Sequence, residues 1–285
     1  MTEPGPLSTA TAPPSASPIP TATSAAVAQA ALAELEEKYG ATLGVYAVDT
    51  GTGAEVTWRA DDRFAFASTT KALAAGVLLD QVGAAGMSEA VPINAADLVS
   101  YSPITEQRAG QTMTLAELAE ASVRMSNNTA ANLVTAYLGG PDAVETALEQ
   151  LGDTVTDLAR TEPALNEAVP GDIRDTTTPR AIAGSLGTLL LGSELEPDSR
   201  ELLTQWMVDS PTGATLIRAG VPAEWTVADK SGAGGYGTRN NIAVLWPTTG
   251  APIVMAVMST RSEAEADFDD QLIADAAAAT ITALR

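Results

Sequence analysis

The sequence predicts an α/β sheet domain assembled from the two ends of the chain, with an all-helical domain inserted between them. Strand-like stretches fall only near the ends, at 42–48 and 55–59 and again at 225–229, 241–246 and 252–259. The middle reads as one helix after another. Apolar residues make up 45% of the 285, enough for a substantial core, yet no apolar run reaches the ~18 residues of a membrane span.

The first 20 residues hold six of the 17 prolines among Ser, Thr and Ala, so 1–23 is expected to be a disordered tether to a membrane or wall. No Lys or Arg precedes Lys38 and no apolar h-region follows Met1, which reads as an exported protein whose leader is absent from this chain. Ala28, Ala31, Leu32, Leu35 and Tyr39 then make a helical stripe that Gly40 is placed to end. A strand over 42–48, a turn at 50–53 and a returning strand over 55–59 follow. From Ser68 to about residue 80 the pattern is helical again.

Thr114 and Glu117 form a capping box before an apolar helix, and helices are expected over 129–138, 141–151, 179–191 and 197–208, three of them with Pro near the start. Between them, 152–178 is rich in Asp, Glu, Pro and Thr and weakly periodic. Loops longer than ~12–15 residues inside a compact domain are usually functional or disordered. After the last strands, Ser262 and Glu265 suggest a second capping box, with Phe268, Leu272, Ala276 and Ala279 as the apolar stripe of a final helix. This pattern assigns 24–60 and 210–285 to the sheet domain and 61–209 to the helical one, including the 152–178 loop. A cleft is expected between them.

The charge narrows the function. Thirty-six Asp and Glu against 15 Lys and Arg give a net charge of −21, a surface that repels nucleic acid and anionic lipid. With neither cysteine nor histidine, disulfides, thiolate catalysis and zinc or copper sites are excluded. No EF-hand-like spacing appears, and neither a metal nor another cofactor is expected.

The same absences make Ser68-Thr69-Thr70-Lys71 informative. If Ser68 is a nucleophile, its proton must pass to a lysine, or to a carboxylate through water. Lys71 lies three residues on, the same face of a helix. Taken singly, each motif has an ordinary reading: chance for Ser68 and Lys71, a helix cap for Ser126-Asn127-Asn128, a turn for Lys230-Ser231-Gly232, loop for Glu162 to Asn166. Together, in this order, they form a constellation.

That constellation resembles class A serine β-lactamases from about Ser24 to Arg285. The likeness extends through Tyr101-Ser102-Pro103, Met125 to Leu133, Arg160 to Pro163, Arg174 to Pro179 and Ala228 to Gly234. The resemblance implies an antiparallel five-stranded sheet flanked by helices, with the helical domain inserted. It implies hydrolysis of penicillins and cephalosporins through a serine acyl-enzyme, outside the cytoplasm in the cell envelope or medium, by a monomer. It makes Ser68 the nucleophile at a helix N-terminus, with an oxyanion hole from the Ser68 and Ala233 N–H groups. A nearby second cation, Lys230, favours the neutral form of Lys71, and Ser126 relays a proton to the leaving nitrogen. Asn128 binds the substrate amide, while Lys230, Ser231 and Arg239 bind its carboxylate beside Gly232. Glu162 and Asn166 activate and orient the deacylating water; whether Glu162 or Lys71 is the acylation base stays open. Arg160 and Asp175 pair across the long loop, and Tyr101 lines the entrance.

The chain departs from the family pattern at two positions, with Asn127 and Asn241 where Asp is common. Asn127 adds two donors and loses a charge, so lower stability or altered rates are expected, with function retained. Two other functions fit parts of the pattern. A penicillin-binding D-alanyl-D-alanine peptidase lacks the Glu162/Asn166 arrangement. A weakly catalytic, wall-tethered binding module would accommodate Asn127 and the Pro-rich tail.

Overall fold

A computed structural model describes residues 22–285, and the expected tether lies outside them up to residue 21. α1 (Ala22–Tyr39) ends at Gly40, whose φ of +58° suits a residue without Cβ. β1 (Thr42–Asp49) and β2 (Glu55–Trp58) form an antiparallel hairpin. After the short β3 (Phe64–Ala65) comes α2 (Thr70–Gly86). The short pair β4 (Ala90–Pro92) and β5 (Thr112–Thr114) leads to α3 (Leu115–Arg124), α4 (Asn128–Tyr137) and α5 (Pro141–Gln150). β6 (Thr176–Thr177) pairs with β3 and closes the long loop, before α6 (Pro179–Leu191) and α7 (Pro197–Val208). β7 (Thr226–Ala233), β8 (Arg239–Trp246), β9 (Ile253–Thr260) and α8 (Asp270–Leu284) complete the chain.

The five long strands form one sheet of order β2-β1-β9-β8-β7, with every neighbouring pair antiparallel, as expected. Both faces are covered, and the strand alternation divides the core in two. Ile253, Met255 and Val257 of β9 face α1 and α8, packing with Leu32, Leu272 and Ala276. Val254, Ala256 and Met258 face the other way, onto α6 and the helical body, where Ile182, Leu186 and Leu73 lie.

α2 is the axis of that body. Every residue from Thr70 to Leu79 is buried. A helix enclosed all round is anchored by each of its large side chains, at about 1.5–3 kcal/mol per buried Leu or Val. Gly76 lets α6 approach: a Cβ there would meet Leu189 at 2.6 Å.

Two expectations need correction. α8 begins at Asp270, with the Asp269 side chain accepting the Gln271 N–H as its cap. The capping box at Ser262 and Glu265 does not form, and Phe268 lies outside the helix, 46% exposed. Asp269 outcompetes Ser262 because 261–269 is held as a loop by Arg261, which donates to the Asp267 carbonyl. The strand expected over 225–229 runs on to Ala233, since Lys230-Ser231-Gly232 pairs in register with β8 instead of turning.

Candidate active site

Ser68 sits inside a 3₁₀ turn, Ala67–Thr69, that feeds into α2. The α-helix expected to start at Ser68 therefore begins two residues later, and Ala67 takes a φ of +49°, left-handed for a non-glycine residue. Such strain persists where the surroundings fix it. Gly232 of β7 packs directly against this turn: a Cβ there would come 3.0 Å from the Phe66 carbonyl oxygen and 3.3 Å from the Ser68 nitrogen. Asn240 of β8 ties the turn down from the other side, donating to the Ala65 and Phe66 carbonyls at 2.8 and 3.1 Å.

Lys71, the second residue of α2, donates from Nζ to Ser68 Oγ at 2.9 Å, to the Ser126 carbonyl at 2.8 Å and to Asn128 Oδ1 at 2.6 Å. Its Nζ also lies 2.9 Å from Glu162 Oε1, to which Ser68 Oγ donates at 3.2 Å. Ser126 is itself left-handed (φ +54°), on the loop between α3 and α4, and its Oγ accepts from Lys230 Nζ at 3.0 Å. Ser68, Lys71, Ser126, Asn128, Glu162 and Lys230 thus form one connected, buried network.

The long loop supplies Glu162. Asn166, in the 3₁₀ turn Ala164–Asn166, donates from Nδ2 to Glu162 Oε2. Arg160 pairs with the fully buried Asp175, whose Oδ1 also accepts the Ala159 and Arg160 N–H groups at 3.0 Å. One carboxylate so gathers both ends of the loop. Asn132 of α4 binds the Glu162 backbone; the sequence signal was its position one helical turn beyond Asn128.

Ser68, Ser126, Asn128 and Asn166 open onto a cleft of about 570 Å³. Ser231, Gly232 and Ala233 form its β7 edge, Tyr101 (63% exposed) and Phe268 its rim. Arg239 reaches the cleft but is engaged: Nε donates to Asp270 Oδ1 at 2.7 Å, and the guanidinium lies 4.7 Å from the Phe268 ring centroid. Sequence reasoning missed Asp270 and Phe268, which a loop-to-helix junction brings in from far along the chain. It also missed Thr212, whose Oγ1 accepts from Ser231 Oγ at 2.8 Å.

Burial lowers the pKa of Lys71, with Glu162 opposing. Burial again, then the charge of Lys71, pushes Lys230 well below the ordinary 10.5, against the pull of Asp229 and Glu162. Desolvation is the main influence on both lysines.

Asn241 fits its place. Its Nδ2 donates to Asp229 Oδ2 at 2.9 Å and its Oδ1 accepts the Ile217 N–H at 3.2 Å. Asp229 is raised by burial, with Arg218 opposing, so a second carboxylate here would face it across a dry gap. Among the described residues no group of three or more Asp and Glu is arranged to hold a metal ion.

Residues 27–284 match the model of the β-lactamase enzyme family. The chain belongs to the class A serine β-lactamases. It is 53% identical to a β-lactamase of Amycolatopsis lactamdurans over 88% of this chain and 83% of that one. β-Lactamase 3 of Bacillus cereus is 51% identical over 90% and 81%. The crystal structure of a class A β-lactamase from Clostridium kluyveri superposes with a TM-score of 0.88 at 48% identity, covering 89% of this chain and 97% of that one. That of a halotolerant bacterial β-lactamase gives 0.88 at 49%, covering 89% and 98%. The β-lactamase reading therefore holds: the chain is a hydrolase of β-lactams, a resistance enzyme, and its sheet and helices have the family architecture.

Proposed function

We propose that hydrolysis proceeds through an acyl-enzyme on Ser68, and that the same six-residue network carries both halves of the reaction. The observation that supports this most is that Ser68 Oγ meets Lys71 Nζ at 2.9 Å and Glu162 Oε1 at 3.2 Å in a site with no imidazole. Both neighbours accept a proton when in the right state: Lys71 because burial favours its neutral amine, Glu162 because it is a carboxylate within direct reach.

As Ser68 attacks the lactam carbonyl, the developing oxyanion is met by the Ser68 and Ala233 N–H groups, each such donor worth about 3–4 kcal/mol to the transition state. Ser126, bridged between Lys71 and Lys230, delivers the proton to the departing nitrogen. Asn128 is held by Lys71 and by the Ser100 carbonyl, at 3.0 Å, and presents its amide to the substrate side chain. Lys230, Ser231 and Arg239 bind the substrate carboxylate by charge-assisted bonds, beside Gly232, while Tyr101 borders the entrance. Glu162 then takes a proton from the water that Asn166 orients; the hydroxide attacks the ester carbonyl, the acyl–Oγ bond breaks, and the proton passes to Ser68 Oγ as the product leaves. Glu162 and Asn166 favour this reading over the peptidase, which lacks that arrangement, and a carboxylate within reach of Ser68 favours turnover over a binding module.

The test is Glu162→Gln treated with benzylpenicillin. Mass spectrometry should show a stable adduct on Ser68 while steady-state turnover falls by about 10³-fold, within the range of general-base contributions. Turnover at the parental rate would remove Glu162 from the deacylation step. We also infer that the enzyme acts as a monomer outside the cytoplasmic membrane, anchored or released through its N-terminal segment. Fractionation of the native host, with light scattering on the purified chain, tests both points. Among the described residues no helix is long and apolar enough to cross a membrane.

A further inference from the structure

We propose that a cavity of about 420 Å³ on the outer side of the 152–178 loop binds a small organic carboxylate with an apolar body. The cavity lies between loop residues 168–176 and the chain at 63–65 and 260–262. This site does not depend on the role of Ser68.

Charge is the first argument. In a chain of net charge −21, this wall presents Arg63, Arg174 and Arg261, with Asp172 its one carboxylate. Asp172 is consumed by Arg174, whose Nε and Nη2 both bond it, and that pairing lowers the Asp172 carboxyl to about 2. The other two guanidiniums pair with no carboxylate among the described residues. Both are held in place by neutral oxygens instead. Arg63 donates to Thr176 Oγ1 at 2.9 Å and to the Val155 carbonyl at 2.8 Å; Arg261 donates to the Asp267 carbonyl at 2.5 Å and the Tyr39 carbonyl at 3.3 Å. Two fixed cations without a counter-charge beside a cavity are pre-organised for an anion.

Apolar surface is the second argument. Five large hydrophobic side chains are exposed among the described residues. Two of them, Tyr101 and Phe268, rim the catalytic cleft beside Arg239. Two more, Val169 and Ile173, line this second cavity beside its arginines. The outer cavity thus repeats the cleft's pairing of guanidinium with open apolar surface, the combination that suits an amphiphilic carboxylate. Its volume lies within the roughly 300–1,000 Å³ of small-molecule sites.

The test is a titration of the ¹⁵N-labelled full chain with phenylacetate and, separately, with benzylpenicilloate. Saturable shifts of amides in 168–174 and 260–262 are expected, distinct from any at 126–128 and 231–233, and weaker as salt is raised. Ile173→Glu places a carboxylate on the exposed rim without removing a hydrogen bond, and Arg261→Gln removes one cation. Each should weaken binding about tenfold, the scale of one charge-assisted bond. Saturation by both probes makes the site a general carboxylate site; saturation by benzylpenicilloate alone makes its ligand lactam-derived. Absence of saturable shifts at the outer cavity with both probes overturns the proposal, as do shifts that neither variant weakens.

Discussion

Asn132 holds the backbone of Glu162 from both sides: its Oδ1 accepts the Glu162 N–H and its Nδ2 donates to the Glu162 carbonyl, each at 2.9 Å. Arg160 and Asp175 fasten the loop as a whole, but these two bonds set where its carboxylate stands relative to α4, and through α4 relative to Asn128. Removing them costs about 2 kcal/mol at roughly 1 kcal/mol each. Asn132→Ala is therefore expected to deacylate about thirtyfold more slowly and to accumulate adduct in stopped-flow and mass measurements. A kcat equal to the parent's would mean that the loop positions Glu162 without Asn132.

Asn127 is wholly buried and caps α4, accepting the Ala130 N–H at 2.9 Å and the Thr105 hydroxyl at 3.0 Å through one oxygen. Its Nδ2 has no partner among the described residues, which explains physically why an acid suits this position. Asn127→Asp keeps both accepted bonds, strengthens them with charge, removes the orphan donor and places a negative charge at a helix N-terminus. Desolvation of the carboxylate offsets part of this gain. A net stabilisation of about 1 kcal/mol is expected in urea unfolding near neutral pH, diminishing as acid protonates the new carboxyl. A variant less stable than the parent would show that desolvation wins.

In the cleft, Asp270 occupies Arg239, the cation proposed to bind the substrate carboxylate. Burial works to raise its pKa, but bonds from Arg239 and Thr215 overcome this and hold it below the usual carboxylate value, so it stays charged. Asp270→Asn retains the shape and the Thr215 contact while freeing the guanidinium. KM for benzylpenicillin should fall about threefold to fivefold with kcat nearly unchanged, an energy near the top of the ~0.2–1 kcal/mol range of surface pairs, as suits a pair that is partly buried. The gain should shrink in high salt. An unchanged KM at low salt would remove Arg239 from carboxylate binding.

The five long strands and most helix bounds were readable from periodicity, a local signal, and the network residues from the resemblance to class A β-lactamases that their co-occurring motifs carry. The Thr114/Glu117 capping box formed as read, with both reciprocal bonds present. What escaped depended on partners distant in the chain. Phe268 looked like part of a helical stripe, yet α8 starts beyond it and its ring covers Arg239. Lys230 to Ala233 looked like a turn because the residues are polar and glycine-rich; only β8 on one side and the Ser68 turn on the other make them strand. Lys230 was expected to favour the neutral form of Lys71; burial, invisible in a local motif, pushes the same way and is the larger influence.

The buried lysines also leave a signature in stability against pH. Lys230 and Lys71 both have folded-state values below the ordinary 10.5, Lys230 far below it. Between each lowered value and 10.5, the unfolded chain holds a proton that the folded one has released, so stability rises with pH across that window. Below the window both states are protonated and the full cost of burying the ammonium is present. Tyr46 acts oppositely: burial and its bond to Glu55 raise it from 10.0 to about 12, so stability falls once the unfolded tyrosine ionises. The lysine contribution is therefore sought between neutrality and the ordinary tyrosine value. Lys230→Met fills similar volume without an ionisable group, and the difference between parent and variant cancels the titration of the surface. The parent's urea-unfolding free energy should climb relative to that of Lys230→Met as pH is raised through this range. A difference that stayed flat would mean that Lys230 titrates at its ordinary value despite being fully enclosed.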